Sequence, residues 1–483
     1  MLGHGPALSP GNPLLARGGA GGASAVPLPV VPSARWHAGA STVTLSGGRV
    51  VAASDLAGLA DAAEGTAGAG PLALTDAAGR KFWRFKGAEF LDIPPALSGA
   101  SRDFALFLVC RVHVGGYMDL FSLGSNKAGT AGGAGNLVLD QSPSGRAPVL
   151  RAVGRAATVD TGAWGHMIAG SQLQVIGVNC RTTAAGGTVL LLDGRKTASL
   201  GQSSVAGGFT GAEMGRDSRA PGVAGVDGDW AKIDLYEAVA FSAALADVDA
   251  DAVQAALMAG WGISSRDDQL VIEGDSISSW SSEGDFGENL SMLLTEPGTA
   301  LAGWRVYTVA GPGDTLAGLV ARRDQANGWA AAVLPGENHL FFEIGRNDLG
   351  ASMPAASYRG DLVDYLSASG SGVLDRGWRV RQAANIATSA VAVESEIVAL
   401  RALLRDPSYL TDTGTGTGQG HEGWLSLVET DLVTGGGQAR FADGADAADT
   451  DWYYDGTHLT PAAQHLRASG GDDPAKGIGY GLG

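Results

Sequence analysis

From Arg35 to about Ile263 the chain alternates short apolar runs with glycine-rich breaks. Examples are Ser41 to Leu45, Lys81 to Phe85, Phe104 to Val114, Gln174 to Val178 and Thr188 to Leu192, the last followed by the tight-turn pair Asp193 and Gly194. Runs this short, without intervening helices, predict a sandwich of antiparallel sheets. One helical stretch, Ala243 to Ala259, closes the region, with Leu245, Val248, Val253, Ala256 and Leu257 at three- and four-residue spacing. Ile263 to Asp268 is a polar connection, and beyond it the periodicity changes. Strands are expected at Leu270 to Glu273, Trp304 to Val309, Leu340 to Ile344 and Trp378 to Gln382, and helices at Asp285 to Leu294, Tyr358 to Ser367 and Thr388 to Leu404. Such alternation predicts a parallel sheet covered by helices on both faces, a three-layer α/β unit.

Composition refines this division. A chain of 483 residues exceeds one ordinary core. Residues 1–34, rich in Gly, Pro and Ala, read as an extended arm, 35–263 as the sandwich and 264–483 as the α/β domain. The arm is either a disordered tail or an attachment segment. A net charge of -17 argues against nucleic acid as a partner and against adsorption to anionic membranes. No run reaches the roughly 18 apolar residues of a membrane helix. Met1 to Arg17 lacks the basic and apolar blocks of a secretory signal, so work outside the cell would need another route, such as carriage on a particle. The two cysteines, Cys110 and Cys180, sit in strand-like runs and read as small buried hydrophobes; a disulfide between them is a matter of distance that sequence leaves open.

In a parallel sheet, ligands bind outside the carboxyl ends of the strands. Here those ends carry Gly274, Asp275 and Ser276 after the first strand, Gly311 to Thr315 after the second, and Gly345 to Asp348 after the third. Near the C-terminus Asp455, Gly456, Thr457 and His458 precede a Thr460–Pro461 helix start. A serine hydroxyl needs a neighbouring base to attack an ester, and histidine is the usual one. Of eight histidines, only His458 follows an aspartate by three residues in a turn, so that the carboxylate reaches one ring nitrogen while the other faces Ser276. An oxyanion would need donors, for which the Ser276 and Gly313 N–H groups and the Asn347 amide are the candidates.

These four blocks resemble the SGNH, or GDSL-like, hydrolase superfamily over about residues 269–470. The resemblance implies Ser276 as nucleophile, Asp455 and His458 as its partners, and Gly313 with Asn347 as the oxyanion pair. The first block has Ile277 where the family name implies leucine, and the second lacks a preceding asparagine. The stretches Pro71 to Asp76, Phe82 to Gly87, Leu190 to Gly194, Met214–Gly215 and Ala231 to Tyr236 resemble laminin-G or concanavalin-A-like lectin domains. That resemblance implies a jelly-roll sandwich of a kind that often binds carbohydrate, with no binding residue carried over.

Other motifs weigh less. Gly414 to Gly420 follows no strand and opens no helix, so it reads as an insertion and not as a phosphate loop. Trp424 beside it is either core or a sugar-stacking ring. Asp443, Asp446, Asp449 and Asp451 lack EF-hand spacing and read as a solvated acidic loop. No metal or other cofactor is expected. Two functions remain: a serine esterase removing O-acetyl groups from a carbohydrate, or a glycan-binding spike or fibre of a phage or phage-like particle. In the second the esterase is secondary or absent, and the arm joins the chain to a virion or to further copies of itself.

Overall fold

The computed structural model describes residues 25–93, 103–113, 117–124, 136–140, 149–153, 158–160, 172–181, 187–196, 211–216, 231–278, 290–295, 299–324, 329–331 and 333–482. Most of the arm and the first half of the helix expected at 285–294 lie outside these residues.

Antiparallel strands between Ala34 and Phe241 stack in two layers. One layer centres on Lys232–Phe241 and Phe104–Val112, which pair with each other along eight positions and with Gln174–Cys180 beyond. Trp36, Trp83, Phe85, Leu106, Leu108, Ile176 and Leu235 from this layer meet Val50, Leu91, Ile93, Phe121 and Met214 from the other in one apolar core. The outer face of the first layer is covered too. Phe107, Val109, Val175 and Tyr236 pack under Val253, Leu257 and Trp261 of helix α1 (Asp247–Trp261). Burial on both faces explains why Phe104–Val112 reads as a nearly unbroken apolar run where a half-exposed strand would alternate. Val248 of the expected apolar stripe faces solvent, and Gly262 ends α1 in the left-handed conformation that spares glycine a steric cost.

The register separates the two cysteines, since Cys110 lies opposite Gln174 and Cys180 opposite Phe104. Both are free and buried, and burial pushes the Cys110 thiol up. Part of the segment assigned to the arm is packed: Leu28 and Val30 lie against the cluster under α1, and Arg35 Nη1 donates to the Val26 carbonyl at 2.7 Å.

Downstream, five parallel strands (Gln269–Gly274, Arg305–Thr308, Asn338–Glu343, Arg379–Ala383 and Leu425–Val428) form a sheet in the order second, first, third, fourth, fifth. The helices are α2 (Leu290–Thr295), α3 (Leu316–Arg323), α4 (Arg346–Gly350), α5 (Ala355–Ser367), α6 (Val391–Arg405), α7 (Pro407–Asp412) and α8 (Pro461–Ser469). One sheet face packs Val271, Leu340, Phe342 and Val380 against α3, α5 and α6. The other packs Leu270, Ile272, Val306 and Phe341 against α2 and the C-terminal Ile478 and Leu482. Chain order reverses between the first and third strands, so the crevice at their carboxyl ends is the topological switch point. The fold is therefore the expected pair: an antiparallel sandwich and a three-layer α/β unit.

The two sheets meet at the opposite end of the strands. Gln172 of the sandwich donates to the Trp304 carbonyl at 2.7 Å and accepts from Val306 N–H at 3.3 Å, at the free edge of the second parallel strand. Asp193, in the turn after Val189–Leu192, holds Arg266 at 3.0 Å and Arg305 at 3.3 Å, with Asp193 and Arg305 both fully buried.

Candidate active site

The first parallel strand ends in a turn that requires glycine at position 274. Gly274 has φ 143°, and a Cβ there would collide with the Glu343 carbonyl of the third strand. Asp275 then turns the chain: its Oδ1 accepts Ile277 N–H at 3.0 Å and its carbonyl accepts Ser278 N–H at 3.2 Å. The turn leaves Ser276, half-buried, at the rim of the switch-point crevice.

His458 and Asp455 sit at the tip of a small hairpin closed by a bridge between Tyr453 and Leu459. Gly456 at φ 76° makes the tight tip possible, and its carbonyl accepts Ser389 N–H at 2.9 Å from the loop after the fourth strand. Thr460 caps α8 by accepting Ala463 N–H, with Pro461 in the first turn, which fixes the chain just past His458. The Asp455 Oδ1 accepts N–H groups of Thr457 at 2.9 Å and His458 at 2.7 Å. Its Oδ2 lies 2.6 Å from His458 Nδ1, and His458 Nε2 lies 2.8 Å from Ser276 Oγ. Residues 182 positions apart thus form one hydrogen-bonded chain. The pairing sets the tautomer, with the proton on Nδ1 toward the carboxylate and Nε2 free to accept from the serine. Desolvation raises Asp455, but the His458 N–H and ring and the Thr457 N–H outweigh it and hold the carboxyl below its usual range.

Gly313 and Asn347 come together as well. Gly313 adopts φ 77° in a turn closed by Asp314 N–H on the Gly311 carbonyl at 3.1 Å. No atom lies within 4 Å of where its Cβ would be, so backbone conformation and not crowding calls for glycine here. Asn347, at the start of α4, donates to the Asp314 carbonyl at 2.7 Å, and Asp348 accepts Leu316 N–H at 3.2 Å. The same turn is held from behind by Arg322 of α3, which bridges Asp314 at 2.5 Å and the buried Glu273 at 3.1 Å.

Sequence reasoning passed over four side chains that support this rim. Arg346, between Gly345 and Asn347, donates to the carbonyls of Thr457 at 2.8 Å and of Ile386 and Ala387 at 3.0 Å, so one side chain ties the His458 hairpin to the loop after the fourth strand. Gln464 of α8 donates to the Ile277 carbonyl at 2.9 Å, and Arg467 pairs with Glu343. Tyr454 stacks on the His458 ring with centroids 5.6 Å apart and planes at 15°. A charged residue inside the Gly345–Asp348 block and a tyrosine pair next to Asp455 were the signals available. Asp275 is buried, and this desolvation, above the opposing Arg346 charge, pushes its carboxyl up to about 6.

The remaining sequence candidates lie elsewhere. Trp424 immediately precedes the fifth strand, at the end of the sheet opposite Ser276, and packs half-buried against the core with its ring 5.0 Å from His421. The sugar-stacking reading of Trp424 therefore gives way to the core one. In the acidic loop, Asp443 and Asp446 accept nearby backbone N–H groups and Asp449 accepts that of Asp451, which accounts for the carboxylates as turn caps. Among the described residues no group of three His, Cys, Asp or Glu side chains could hold a metal ion, and no helix is long and apolar enough to cross a membrane.

No family model matches the chain, and no curated protein matches it. Solved structures that match include a sialidase of Trypanosoma rangeli, at 16% identity and TM-score 0.32, over 49% of this chain and 36% of that one. A lipolytic protein of the G-D-S-L family from Veillonella parvula matches at 13% identity and TM-score 0.29, over 41% of this chain and 92% of that one. Domain 4 of AbnA, a GH43 extracellular arabinanase from Geobacillus stearothermophilus crystallised with arabinotriose, matches at 13% identity and TM-score 0.31, over 46% of this chain and 98% of that one. The chain spans about a third of the length of the sialidases it matches.

Proposed function

We propose that this protein is a serine esterase of the SGNH type that removes acyl groups, O-acetyl above all, from a carbohydrate. The observation that carries the reading is the Asp455–His458–Ser276 chain, at 2.6 Å and 2.8 Å, on the rim of the switch-point crevice. Ser276 Oγ attacks the ester carbonyl while His458 Nε2 takes its proton. Asp455 orients the ring and stabilises the imidazolium that forms. The carbonyl oxygen, now negative, accepts from the Ser276 and Gly313 N–H groups and from Asn347. That amide has two N–H bonds, of which the one on Asp314 holds it still and the other is for substrate. Collapse expels the alcohol, which His458 protonates, and water then attacks the acyl-serine by the same route in reverse.

The carbohydrate half of the proposal rests on the sandwich, whose class often binds glycans. It is docked at the amino ends of the parallel strands, and six strand residues span about 20 Å. We therefore assign it the task of tethering a polymer, with the choice of ester left to the rim itself. Ser276→Ala tests the core claim: hydrolysis of a small acetyl ester falls to background with the fold unchanged by circular dichroism. Wild-type turnover in that variant ends the proposal.

A further inference from the structure

We propose that Tyr454 is the platform on which the alcohol half of the ester stacks, and that this half is a neutral pyranose ring. The inference rests on the esterase reading of Ser276 and His458 and adds to it which side of the site recognises what.

Adjacent residues of the hairpin point opposite ways. Tyr453 is 1% exposed and packs with Phe441, whereas Tyr454 is 56% exposed. Its backbone is held by its own N–H on the His458 carbonyl at 3.1 Å, so the exposed ring stands on a fixed base. One face of the ring lies along the imidazole, 5.6 Å away and nearly parallel. The other face has no aromatic partner among the described residues and is the one left to a ligand.

Reaction geometry says which part of the substrate arrives there. The acyl oxygen must lie toward the donors of the Gly313 turn and Asn347, which belong to the loops after the second and third strands. The leaving oxygen must lie against His458, which returns its proton. Tyr454 flanks His458 on its own hairpin, so it borders the alcohol and not the acyl group.

The chemistry of the surroundings selects the alcohol. A flat apolar face with a polar edge matches a ring that shows C–H bonds on one side and hydroxyls at its rim. Asp451 and Asp455 lie on either side of Tyr454 in the chain and are exposed, and their negative charge repels anions. The nearest arginines are engaged elsewhere: Arg440 donates to the Gly435 carbonyl and lies over the Trp452 ring at 4.9 Å, and the two terminal nitrogens of Arg346 hold three carbonyls. A carboxylated or sulfated sugar would find no free positive partner in this hairpin.

The test compares kcat/KM for methyl 6-O-acetyl-glucopyranoside with that for methyl acetate, whose alcohol carries no ring, in the full-length protein. Tyr454→Ala is expected to lower the sugar-to-methyl ratio about tenfold, while Tyr454→Phe keeps it within about twofold. A ratio that Tyr454→Ala does not move, including one where both esters slow equally, overturns the platform, because a ring serving only His458 would act on both. Equal loss in the Phe variant overturns it too, since the hydroxyl and not the face would then matter. Calorimetry of the acetylated glucoside with Ser276→Ala, with and without Tyr454→Ala, needs no turnover: weaker binding in the double variant supports the platform and equal binding overturns it. A wild type inactive on both esters refutes the esterase reading separately.

Discussion

At the scale of single residues, the proposed chemistry was legible because it depends on residue type at short spacing. Asp455 three positions before His458 in a glycine turn can bend in few ways, and it receives two backbone N–H groups besides the ring. Asp455→Asn keeps that turn but reverses the preferred tautomer, so kcat for methyl acetate should fall between about 10²- and 10⁴-fold with KM little changed. Stopped-time acetate release measures it, and a loss under threefold removes Asp455 from the mechanism. What spacing could not convey is burial. Asp275 was visible as a neighbour of Ser276, but only packing pushes its carboxyl from an ordinary 3.8 to about 6. The sign follows from proton binding: between about pH 4 and 6 the folded state holds a proton that the unfolded chain has released. The contribution of Asp275 is thus fully present below about pH 4 and lost as pH rises through about 6, by at most about 3 kcal/mol. Asp275→Asn cannot titrate, so its stability relative to wild type should improve from pH 4 to pH 7. Urea unfolding at both pH values checks this, and a pH-independent difference sinks it.

Among the elements, long or doubly buried segments announced themselves and short ones did not. The runs at Phe104–Val112 and at Leu340 to Phe342, the middle of Asn338–Glu343, are apolar because both their faces are covered. The fifth parallel strand, Leu425–Val428, is four residues at a sheet edge inside a Gly- and Asp-rich stretch, and its pattern is no stronger than that of a loop. Missing that strand is also why Trp424 was admitted to the cleft: once the strand exists, the residue before it must lie at the far end of the sheet. Arg346 shows a second kind of invisibility, since it works across loops that sequence does not relate. Its three carbonyl bonds join the His458 hairpin to residues 386 and 387 while its charge faces buried Asp275. Arg346→Ala should let the hairpin drift, lowering kcat about 10- to 100-fold, because a misplacement near 1 Å costs about that much. Lysine, with one compact ammonium in place of a planar fork, should restore little of it. Wild-type kcat in Arg346→Ala would show that the hairpin needs no such tie.

For the whole molecule, the sequence divided the chain but said nothing of how its halves meet. The pair Asp193–Gly194 read as a hairpin turn and is one, joining Leu192 to its register partner Arg195. The same aspartate also leaves its sandwich to meet Arg266 and Arg305, and burial pulls the Arg305 guanidinium down to about 10 despite the carboxylate beside it. A buried pair of this kind is costly to form and costlier to break, because removing one partner strands the other charge without solvent. Asp193→Asn is a clean way to break it. Asparagine tolerates the positive φ of 45° and can still accept Val175 N–H, so the turn survives and only the charge goes. The loss should be about 3 kcal/mol and should fall on the contact between the halves. Wild type is then expected to melt in one calorimetric transition, and Asp193→Asn in two, with the sandwich and the α/β unit uncoupled. Methyl acetate turnover should persist at temperatures between the two transitions if the α/β unit is the more stable half, since Ser276 lies at the other end of its strands. A single transition shifted down by the same 3 kcal/mol would mean that the two sheets share one cooperative core, and the tethering role argued for the sandwich would then have to be exerted through a rigid body.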